Sequence, residues 1–162
     1  VVKELQGSRQ ATGRRFALVV SSFNQEITAG LVRGASAVLT EAGVKSTDVT
    51  LVRVPGAFEI PLAARRLARS GRYDAVVCLG CVIKGETMHF EYISSAVSHG
   101  LMAVSADTGI PVTFGVLTTL TEEQAIARAA DGPDNKGRDA AWAAVEMSSL
   151  VHELGDEARH DG

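Results

Sequence analysis

Short apolar runs alternate with segments of helical periodicity along this chain of 162 residues, and that alternation restricts its possible folds most strongly. The runs have the length and branched content of buried strands, whereas the segments between them carry apolar residues three or four positions apart. Strands are predicted at 15–21, 49–54, 73–82 and 111–117, and helices at about 25–42, 60–70, 89–106, 122–130 and 138–154. This order predicts an α/β fold in which helices cover both faces of a mostly parallel sheet.

The chain is long enough for one domain with a sizeable core, and we place that domain at residues 1–154. Within it, residues 1–12 are predicted to form an N-terminal arm that can add as an edge strand to a neighbour's sheet. Residues 155–162 follow no helical period and are expected to be a polar, flexible tail. Asn24 is expected to cap the first helix, and Gly43 to end it.

The composition argues against several classes of partner. The net charge is −3 and no basic tract is present, so a nucleic-acid partner is not expected. No apolar run approaches the roughly 20 residues that span a bilayer, and the first residues lack the pattern of a signal peptide. We therefore expect a cytoplasmic protein without a membrane partner. The four histidines show no spacing typical of metal ligands, so no metal is expected.

Both cysteines, Cys78 and Cys81, lie on the third predicted strand, three positions apart. Side chains at an odd spacing on a strand point to opposite faces of the sheet. A disulfide between the two is therefore not expected, and both are predicted to be buried, unreactive thiols.

The segment at 80–91, Gly-Cys-Val-Ile-Lys-Gly-Glu-Thr-Met-His-Phe-Glu, joins the end of a buried strand to the start of a helix through a polar turn. Free backbone N–H groups and the positive end of a helix dipole meet in such a turn, which suits a phosphate group. His89 stands in the first turn of the helix, where a neutral imidazole can accept a proton. The segment therefore predicts an anion site beside a base.

Ligands of such sheets bind beyond the carboxyl ends of the strands. The segments that follow the predicted strands are 21–24, 55–59, 80–87 and 117–119, and they supply aromatic, acidic, basic and hydroxyl side chains. We expect all four segments to converge on one rim.

Each candidate residue also has a structural alternative. Phe23 would either stack on a planar ring or cover the edge of the core. Glu59 would either bind a ligand or cap the helix that follows it. Lys84 would bind a phosphate or be an ordinary solvated side chain, and His89 would transfer protons or serve only the start of its helix.

A series of motifs follows in a fixed order between about Phe16 and Leu154. They are Ser-Phe-Asn at 22–24, Gly-Ala-Phe-Glu-Ile-Pro at 56–61, the segment at 80–91, Pro-Val-Thr-Phe-Gly-Val-Leu-Thr at 111–118, Glu-Glu-Gln-Ala at 122–125 and Asn-Lys-Gly at 135–137. In this combination the chain resembles the 6,7-dimethyl-8-ribityllumazine synthase family, which acts in the penultimate step of riboflavin formation. The glycine motifs of dinucleotide-binding, P-loop and serine-hydrolase proteins are absent from the sequence.

The resemblance implies a flavodoxin-like three-layer α/β/α sandwich with a central four-stranded parallel sheet. It implies a transferase that condenses 5-amino-6-(D-ribitylamino)uracil with 3,4-dihydroxy-2-butanone 4-phosphate. Phosphate and water leave as 6,7-dimethyl-8-ribityllumazine forms, and neither a metal nor an organic cofactor takes part.

The resemblance also implies roles for matching positions. The positions implied to bind the pyrimidine and its ribityl chain are Phe23, Ala57, Phe58, Glu59, Cys81, Val82, Ile83 and, from an adjacent subunit, Phe114. The positions implied to bind the phosphate are Gly85, Glu86, Thr87 and Arg128. His89 is the implied proton-transfer residue, and Asn24 and Lys136 are further candidates. Glu86 stands where the family varies, so only its backbone N–H is expected to bind.

The family forms homopentamers whose active sites are shared between adjacent subunits, and the resemblance implies the same assembly here. The loop at 131–135 is short, whereas the family's isolated pentamers tend to carry insertions there, so the resemblance favours a closed icosahedral 60-mer of twelve pentamers over an isolated pentamer. Riboflavin synthase is a candidate protein partner.

Two hypotheses from other classes remain open. One is a flavodoxin-type module that binds a flavin or a nucleotide without catalysis. The other is a shell-forming storage protein that has kept the assembly and lost the chemistry. Loss of Phe23, His89 or Arg128 would favour the second, and all three are present.

Overall fold

A computed structural model of the chain describes residues 1–160, without the side chains at 157, 158 and 160. The strands are Phe16–Ser21 (β1), Val49–Val54 (β2), Ala75–Ile83 (β3) and Val112–Thr119 (β4). The helices are Gln25–Glu41 (α1), Ile60–Arg69 (α2), His89–Thr108 (α3), Glu122–Ala129 (α4) and Lys136–His160 (α5). Short 3₁₀ turns at Ser46–Asp48 and Ala57–Glu59 precede β2 and α2.

All four strands pair in parallel, in the order β2-β1-β3-β4. Phe16 of β1 lies opposite Val49 of β2 and Ala75 of β3, and at the other end Ile83 of β3 lies opposite Thr119 of β4. Parallel pairing requires a crossover between strands, which the helices provide. The carboxyl ends of the strands consequently lie at one edge of the sheet, where ligands of this architecture bind.

Two apolar cores lie on opposite faces of the sheet, because successive strand side chains alternate in direction. On one face, side chains such as Leu18 pack against α1, α4 and α5; on the other, side chains such as Val19 pack against α2 and α3. The result is a flavodoxin-like three-layer α/β/α sandwich, which confirms the predicted fold class. Cys81 belongs to the first core and Cys78 to the second, and both thiols are free, as their spacing predicted.

The last helix is longer than the sequence predicted. It continues to His160, so the predicted flexible tail from residue 155 is helical as far as residue 160, while residues 161–162 of that tail lie outside the described part. Its end carries charges at helical spacing, including Asp156 and Arg159, whose carboxylate and guanidinium lie 3.4 Å apart. No helix within residues 1–160 combines the length and apolar character needed to cross a membrane.

The N-terminal arm, residues 1–12, forms no strand in the single chain. Gly7 lies so close to α5 that a Cβ there would overlap the Glu146 carbonyl oxygen. The Arg9 guanidinium pairs with the Glu146 carboxylate at 2.8 Å and stacks over the Trp142 ring at 4.5 Å. The second half of the arm thus packs against α5 of the same chain. For the first half of the arm, addition as a strand to a neighbour's sheet stays a prediction.

Candidate active site

An open cavity of about 720 Å³ lies at the carboxyl edge of the sheet, beyond the ends of β1, β2 and β3. We call it the β3 cavity. Its lining comes from the turns after β1 and β2, the end of β3 and the first turns of α3: Phe23, Asn24, Pro55, Gly56, Ala57, Phe58, Glu59, Cys81, Val82, Ile83, His89 and Ile93. It therefore gathers every residue predicted to bind the pyrimidine except Phe114, together with the predicted base.

The turn after β1 presents Phe23 to this cavity. Asn24, the next residue, has left-handed backbone angles with φ 58°. Asn24 is the N-cap residue of α1, as the sequence predicted, although its side chain makes no hydrogen bond to the helix. Instead Asn24 Nδ2 donates a hydrogen bond to the Cys81 carbonyl oxygen at 3.2 Å and fastens the turn to β3. The Phe23 ring is 72 % exposed, so it does not cover the core edge and is free to stack on a ligand.

The turn after β2 supplies an aromatic ring and a carboxylate. Phe58 is 61 % exposed and stands on the short 3₁₀ turn before α2. Glu59 Oε2 accepts a hydrogen bond from the Gly56 N–H at 3.0 Å, so this side chain caps the 3₁₀ turn at Ala57–Glu59, while it makes no cap bond to α2 itself. Glu59 also lines the β3 cavity. It therefore both stabilises the turn and lies beside the proposed ligand site.

The end of β3 forms the floor of the cavity. Here Cys81 is buried, and burial, with a smaller contribution from the Glu122 carboxylate, raises the pKa of its thiol to about 11. Burial raises the pKa of the Cys78 thiol further still. Neither thiol supplies a thiolate nucleophile near neutral pH. Cys81 instead lines the floor of the cavity, and its backbone carbonyl oxygen accepts the hydrogen bond from Asn24.

The loop between β3 and α3 leads to His89. Within residues 1–160, the backbone N–H groups of Gly85, Glu86 and Thr87 make no hydrogen bond, and the space around Gly85 is open. The His89 N–H donates to Thr87 Oγ1 at 3.4 Å, which holds the loop to the start of α3. Free N–H groups at a helix start can bind an anion beside the imidazole. Among the described side chains, His89 belongs to no group of three that could hold a metal ion.

A second open cavity, of about 420 Å³, lies between β4 and α5, and we call it the β4 cavity. Phe114, Arg128 and Lys136 line it. Phe114 is 47 % exposed on the edge strand. The Arg128 guanidinium donates to the Gln124 carbonyl oxygen at 3.0 Å, and the Lys136 ammonium lies 3.0 Å from the Asp139 carboxylate. Two cations and an aromatic ring thus face one open space, which suits an anionic ligand.

Gly85, Glu86 and Thr87 line neither cavity. The other predicted site residues divide between two cavities of one chain, and the linings of the two share no residue. Residues of the segments after β1, β2 and β3 line the β3 cavity together. Residues 117–119 end β4 at the same edge of the sheet, where Thr119 lies opposite Ile83, but they line the β4 cavity.

Ile93 and Asp139 are among the lining residues that sequence reasoning missed. Ile93 stands one helical turn after His89, so a spacing of four on α3 would have placed it beside the imidazole. Asp139 stands three residues after Lys136, a spacing typical of an ion pair on a helix surface. Both could have been found from helix geometry once the ends of α3 and α5 were known.

Comparison with known proteins gives a consistent result. The family model described as 6,7-dimethyl-8-ribityllumazine synthase matches residues 13–152. A protein of Salinibacter ruber (strain DSM 13855 / M31) with that name is 51 % identical over 150 residues, covering 93 % of this chain and 96 % of its own. One of Syntrophus aciditrophicus (strain SB), with the same name, is 50 % identical over 149 residues, covering 92 % and 97 %. Among solved structures, a GDP-L-fucose synthetase from Naegleria fowleri matches 98 % of this chain and 48 % of its own, at a TM-score of 0.38 and 12 % identity, which carries no argument.

Proposed function

The chain belongs to the 6,7-dimethyl-8-ribityllumazine synthase family, and on that premise we propose that it condenses 5-amino-6-(D-ribitylamino)uracil with 3,4-dihydroxy-2-butanone 4-phosphate. The product is 6,7-dimethyl-8-ribityllumazine, the precursor of riboflavin, and inorganic phosphate and water are released. The enzyme is a transferase of riboflavin biosynthesis.

The β3 cavity is the proposed pyrimidine site. Phe23 stacks on the ring, an arrangement that its exposed position and the Asn24 bond beneath it support. Ala57, Phe58 and Glu59 hold the ring edge and the ribityl chain, whose hydroxyl groups suit a carboxylate acceptor. The backbone of Cys81, Val82 and Ile83 lines the floor.

His89 is the proposed proton-transfer residue. Attack of the pyrimidine amine on the ketone, loss of water and elimination of phosphate each move a proton, and an imidazole can both take and return it near neutral pH. The N–H groups of Gly85, Glu86 and Thr87 bind the phosphate beside it. The support is their open, unbonded state at the start of α3.

Phe114, Arg128 and Lys136 complete the site from an adjacent subunit. The observation that carries this proposal is the division of the predicted site between two cavities with no common lining residue. His89 and the Arg128 residue proposed to bind the same phosphate line different cavities of one chain, which supports a site built between two subunits. A head-to-tail ring joins the β3 cavity of one subunit to the β4 cavity of the next. A homopentamer with shared sites satisfies this geometry.

Larger assembly remains part of the proposal. Val1 and Val2 are exposed at the free end of the arm, and they can add to the sheet edge of a neighbour. Twelve pentamers would then form an icosahedral 60-mer, and riboflavin synthase is a candidate partner within it. Two free cysteines fit a reducing compartment, so we propose the cytoplasm as the setting.

The rival hypotheses are not favoured by the family comparison. A flavodoxin-type binding module would need neither His89 at the anion turn nor Arg128 in a second cavity. A shell protein without chemistry would not be expected to keep both.

Mixing the two substrates with purified protein tests the proposed function. We expect lumazine absorbance to rise in proportion to enzyme concentration, above the rate of the same mixture without protein. Omitting either substrate should abolish the signal. A rate equal to the protein-free mixture, from correctly folded protein, would contradict the proposal.

A further inference from the structure

The turn between α4 and α5 is held by one side chain, Asn135, which the proposed chemistry does not use. This asparagine is 1 % exposed, although it stands in a turn. Its Nδ2 group faces three carbonyl oxygens: Gly30 at 3.0 Å, Ala129 at 3.0 Å and Ala130 at 3.1 Å. The first belongs to α1 and the others to the end of α4. The amide thus ends α4 and ties it to α1 in one interaction.

The opposite atom of the same amide starts α5. Asn135 Oδ1 accepts hydrogen bonds from the N–H groups of Gly137 at 2.8 Å and Arg138 at 3.2 Å. Three acceptors surround the nitrogen and two donors face the oxygen, so a flipped amide would lose all five bonds. A smaller hydroxyl side chain would offer one donor hydrogen where the amide offers two. Asn135 is therefore required by the geometry of the turn, and its role extends beyond filling space.

The helix that receives this turn is built to let it approach closely. A Cβ on Gly34 of α1 would overlap Asn135 Oδ1, and a Cβ on Gly30 would overlap the Ala129 carbonyl oxygen. From the other side, a Cβ on Gly137 would overlap the Leu31 carbonyl oxygen. Bare backbone on both partners brings the turn within hydrogen-bond distance of α1. We call this contact the Asn135 joint.

The joint lies next to the two cations of the β4 cavity. Lys136 directly follows Asn135, and Arg128 directly precedes the carbonyl groups that Nδ2 binds. Arg128 is also hydrogen-bonded to the backbone of its own short helix, so it moves with the end of α4. A shift of the turn would displace both cationic groups together, and a misplacement of about 1 Å can cost about 100-fold in rate.

We propose that Asn135 is a positioning residue, which sets the Arg128 guanidinium and the Lys136 ammonium at the spacing that grips the substrate phosphate. This inference rests on the proposed function. Asn135 then affects the binding of the phosphorylated substrate through Arg128 and Lys136, in addition to any effect on stability.

Three variants separate positioning from stability. Asn135→Asp keeps the shape and the acceptor but sets a carboxylate oxygen against three carbonyl oxygens. Gly34→Ala disturbs the same joint from α1 without removing a polar group. Ser148→Ala is the matched control, because Ser148 is a buried polar residue of α5 that bonds the Val145 carbonyl oxygen at 2.8 Å and lines neither cavity. All three should lower the melting temperature.

Steady-state kinetics with each substrate varied in turn give the decisive readout. Asn135→Asp and Gly34→Ala should raise the KM for the phosphorylated butanone about 10- to 100-fold while the KM for the pyrimidine stays within about twofold. Ser148→Ala should change neither. Equal rises for both substrates, or the same rise in Ser148→Ala, would overturn the proposal. If Asn135→Asp fails to fold, Asn135→Ser, which retains one donor and one acceptor, takes its place.

A binding experiment with inorganic phosphate distinguishes this inference from the proposed function. Phosphate titrated into wild-type protein and into the two joint variants, followed by calorimetry, should bind more weakly to both variants by about the factor seen in KM. If wild-type protein forms no lumazine but the variants bind phosphate more weakly than wild type, the proposed function is wrong and the role of the Asn135 joint is supported. If wild-type protein is active and the variants bind phosphate with the wild-type affinity, the positioning role of Asn135 is wrong and the proposed function is supported.

Discussion

His89 and Arg128, which we propose for proton transfer and phosphate binding, line different cavities of the same chain. His89 stands at the start of α3 in the β3 cavity, and Arg128 stands near the end of α4 in the β4 cavity. We propose that one phosphorylated substrate meets both residues, His89 from one subunit and Arg128 from the next. A single chain would then hold halves of two active sites, and catalysis would depend on the assembly.

The first prediction concerns His89. His89→Ala should slow turnover about 10- to 100-fold without lowering stability, because water or the substrate phosphate can relay part of the proton traffic. His99→Ala is the control, since His99 is an exposed residue of the same helix that lines neither cavity. Steady-state rates across pH 6–8 provide the measurement. Rates identical to wild type throughout that range would exclude His89 from proton transfer.

The second prediction concerns Arg128. Arg128→Ala should raise the KM for the phosphorylated butanone about 10- to 150-fold, the equivalent of a charge-assisted hydrogen bond of about 1.5–3 kcal/mol. The KM for the pyrimidine should change little. Arg128→Lys should restore only part of the affinity, because an ammonium cannot bind two oxygens side by side.

A nearby arginine supplies the control for this prediction. Arg138 pairs with the Glu41 carboxylate at 3.0 Å and lines neither cavity, so Arg138→Ala should leave both KM values unchanged. If Arg128→Ala weakens both substrates equally, its guanidinium does not bind the phosphate.

The third prediction concerns the turn that presents Phe23. Asn24→Gly keeps the left-handed backbone but loses the bond to the Cys81 carbonyl oxygen, which should cost about 0.5–1.5 kcal/mol of unfolding free energy. Asn24→Ala loses the same bond and also strains the backbone at φ 58°, so it should be about 1 kcal/mol less stable than the glycine variant. Urea unfolding measures both. Equal stability of the two variants would show that the backbone angle carries no strain.

The fourth prediction follows from the raised pKa of Cys81. A free thiol with a pKa of about 8.5 is about one quarter thiolate at pH 8, whereas a pKa of about 11 leaves about one part in a thousand. Alkylation of the folded protein by iodoacetamide at pH 8 should therefore be about 200-fold slower than that of the urea-unfolded chain. A single fast-reacting thiol in the folded protein would contradict the burial.

The same shift predicts how stability depends on pH. Burial favours the neutral thiols of Cys78 and Cys81. Their contribution to the free energy of unfolding is therefore fully present below about pH 8.5, the pKa of a thiol in the unfolded chain. As pH rises from there toward 11, the unfolded chain ionises first and the folded state loses stability. Stability curves at several alkaline pH values, compared with a Cys81→Ala variant, check the direction.

Much of the fold could be predicted from local pattern. The bounds of β2 and the start of α1 and α3 agree with the sequence prediction, because an apolar run or a helical period begins there abruptly. The start of α5 does not agree. The sequence placed it near Arg138, whereas the helix begins at Lys136, because Asn135 caps it and Gly137 is needed for contact with α1. Long-range contacts of this kind leave no local pattern.

The candidate site shows the same division. The turns after β1, β2 and β3 could be assigned to one cavity from the rule that parallel strands share a carboxyl edge. The separate position of Phe114 and Arg128 could not, because it depends on β4 being the edge strand. Only the resemblance to a family with shared sites suggested that Phe114 acts from another subunit.

Subunit complementation tests the central proposal, a site shared between subunits, most directly. His89→Ala and Arg128→Ala protein, unfolded together in equal amounts and reassembled, should form mixed rings. In a head-to-tail ring, about a quarter of the interfaces then join an intact β3 cavity to an intact β4 cavity. With the phosphorylated butanone below its wild-type KM, so that both variants are slow, we expect lumazine synthesis at about a quarter of the wild-type rate per site, well above that of either variant reassembled alone. A rate no higher than the mean of the two variants, from mixed rings confirmed by mass, would contradict a site shared between subunits.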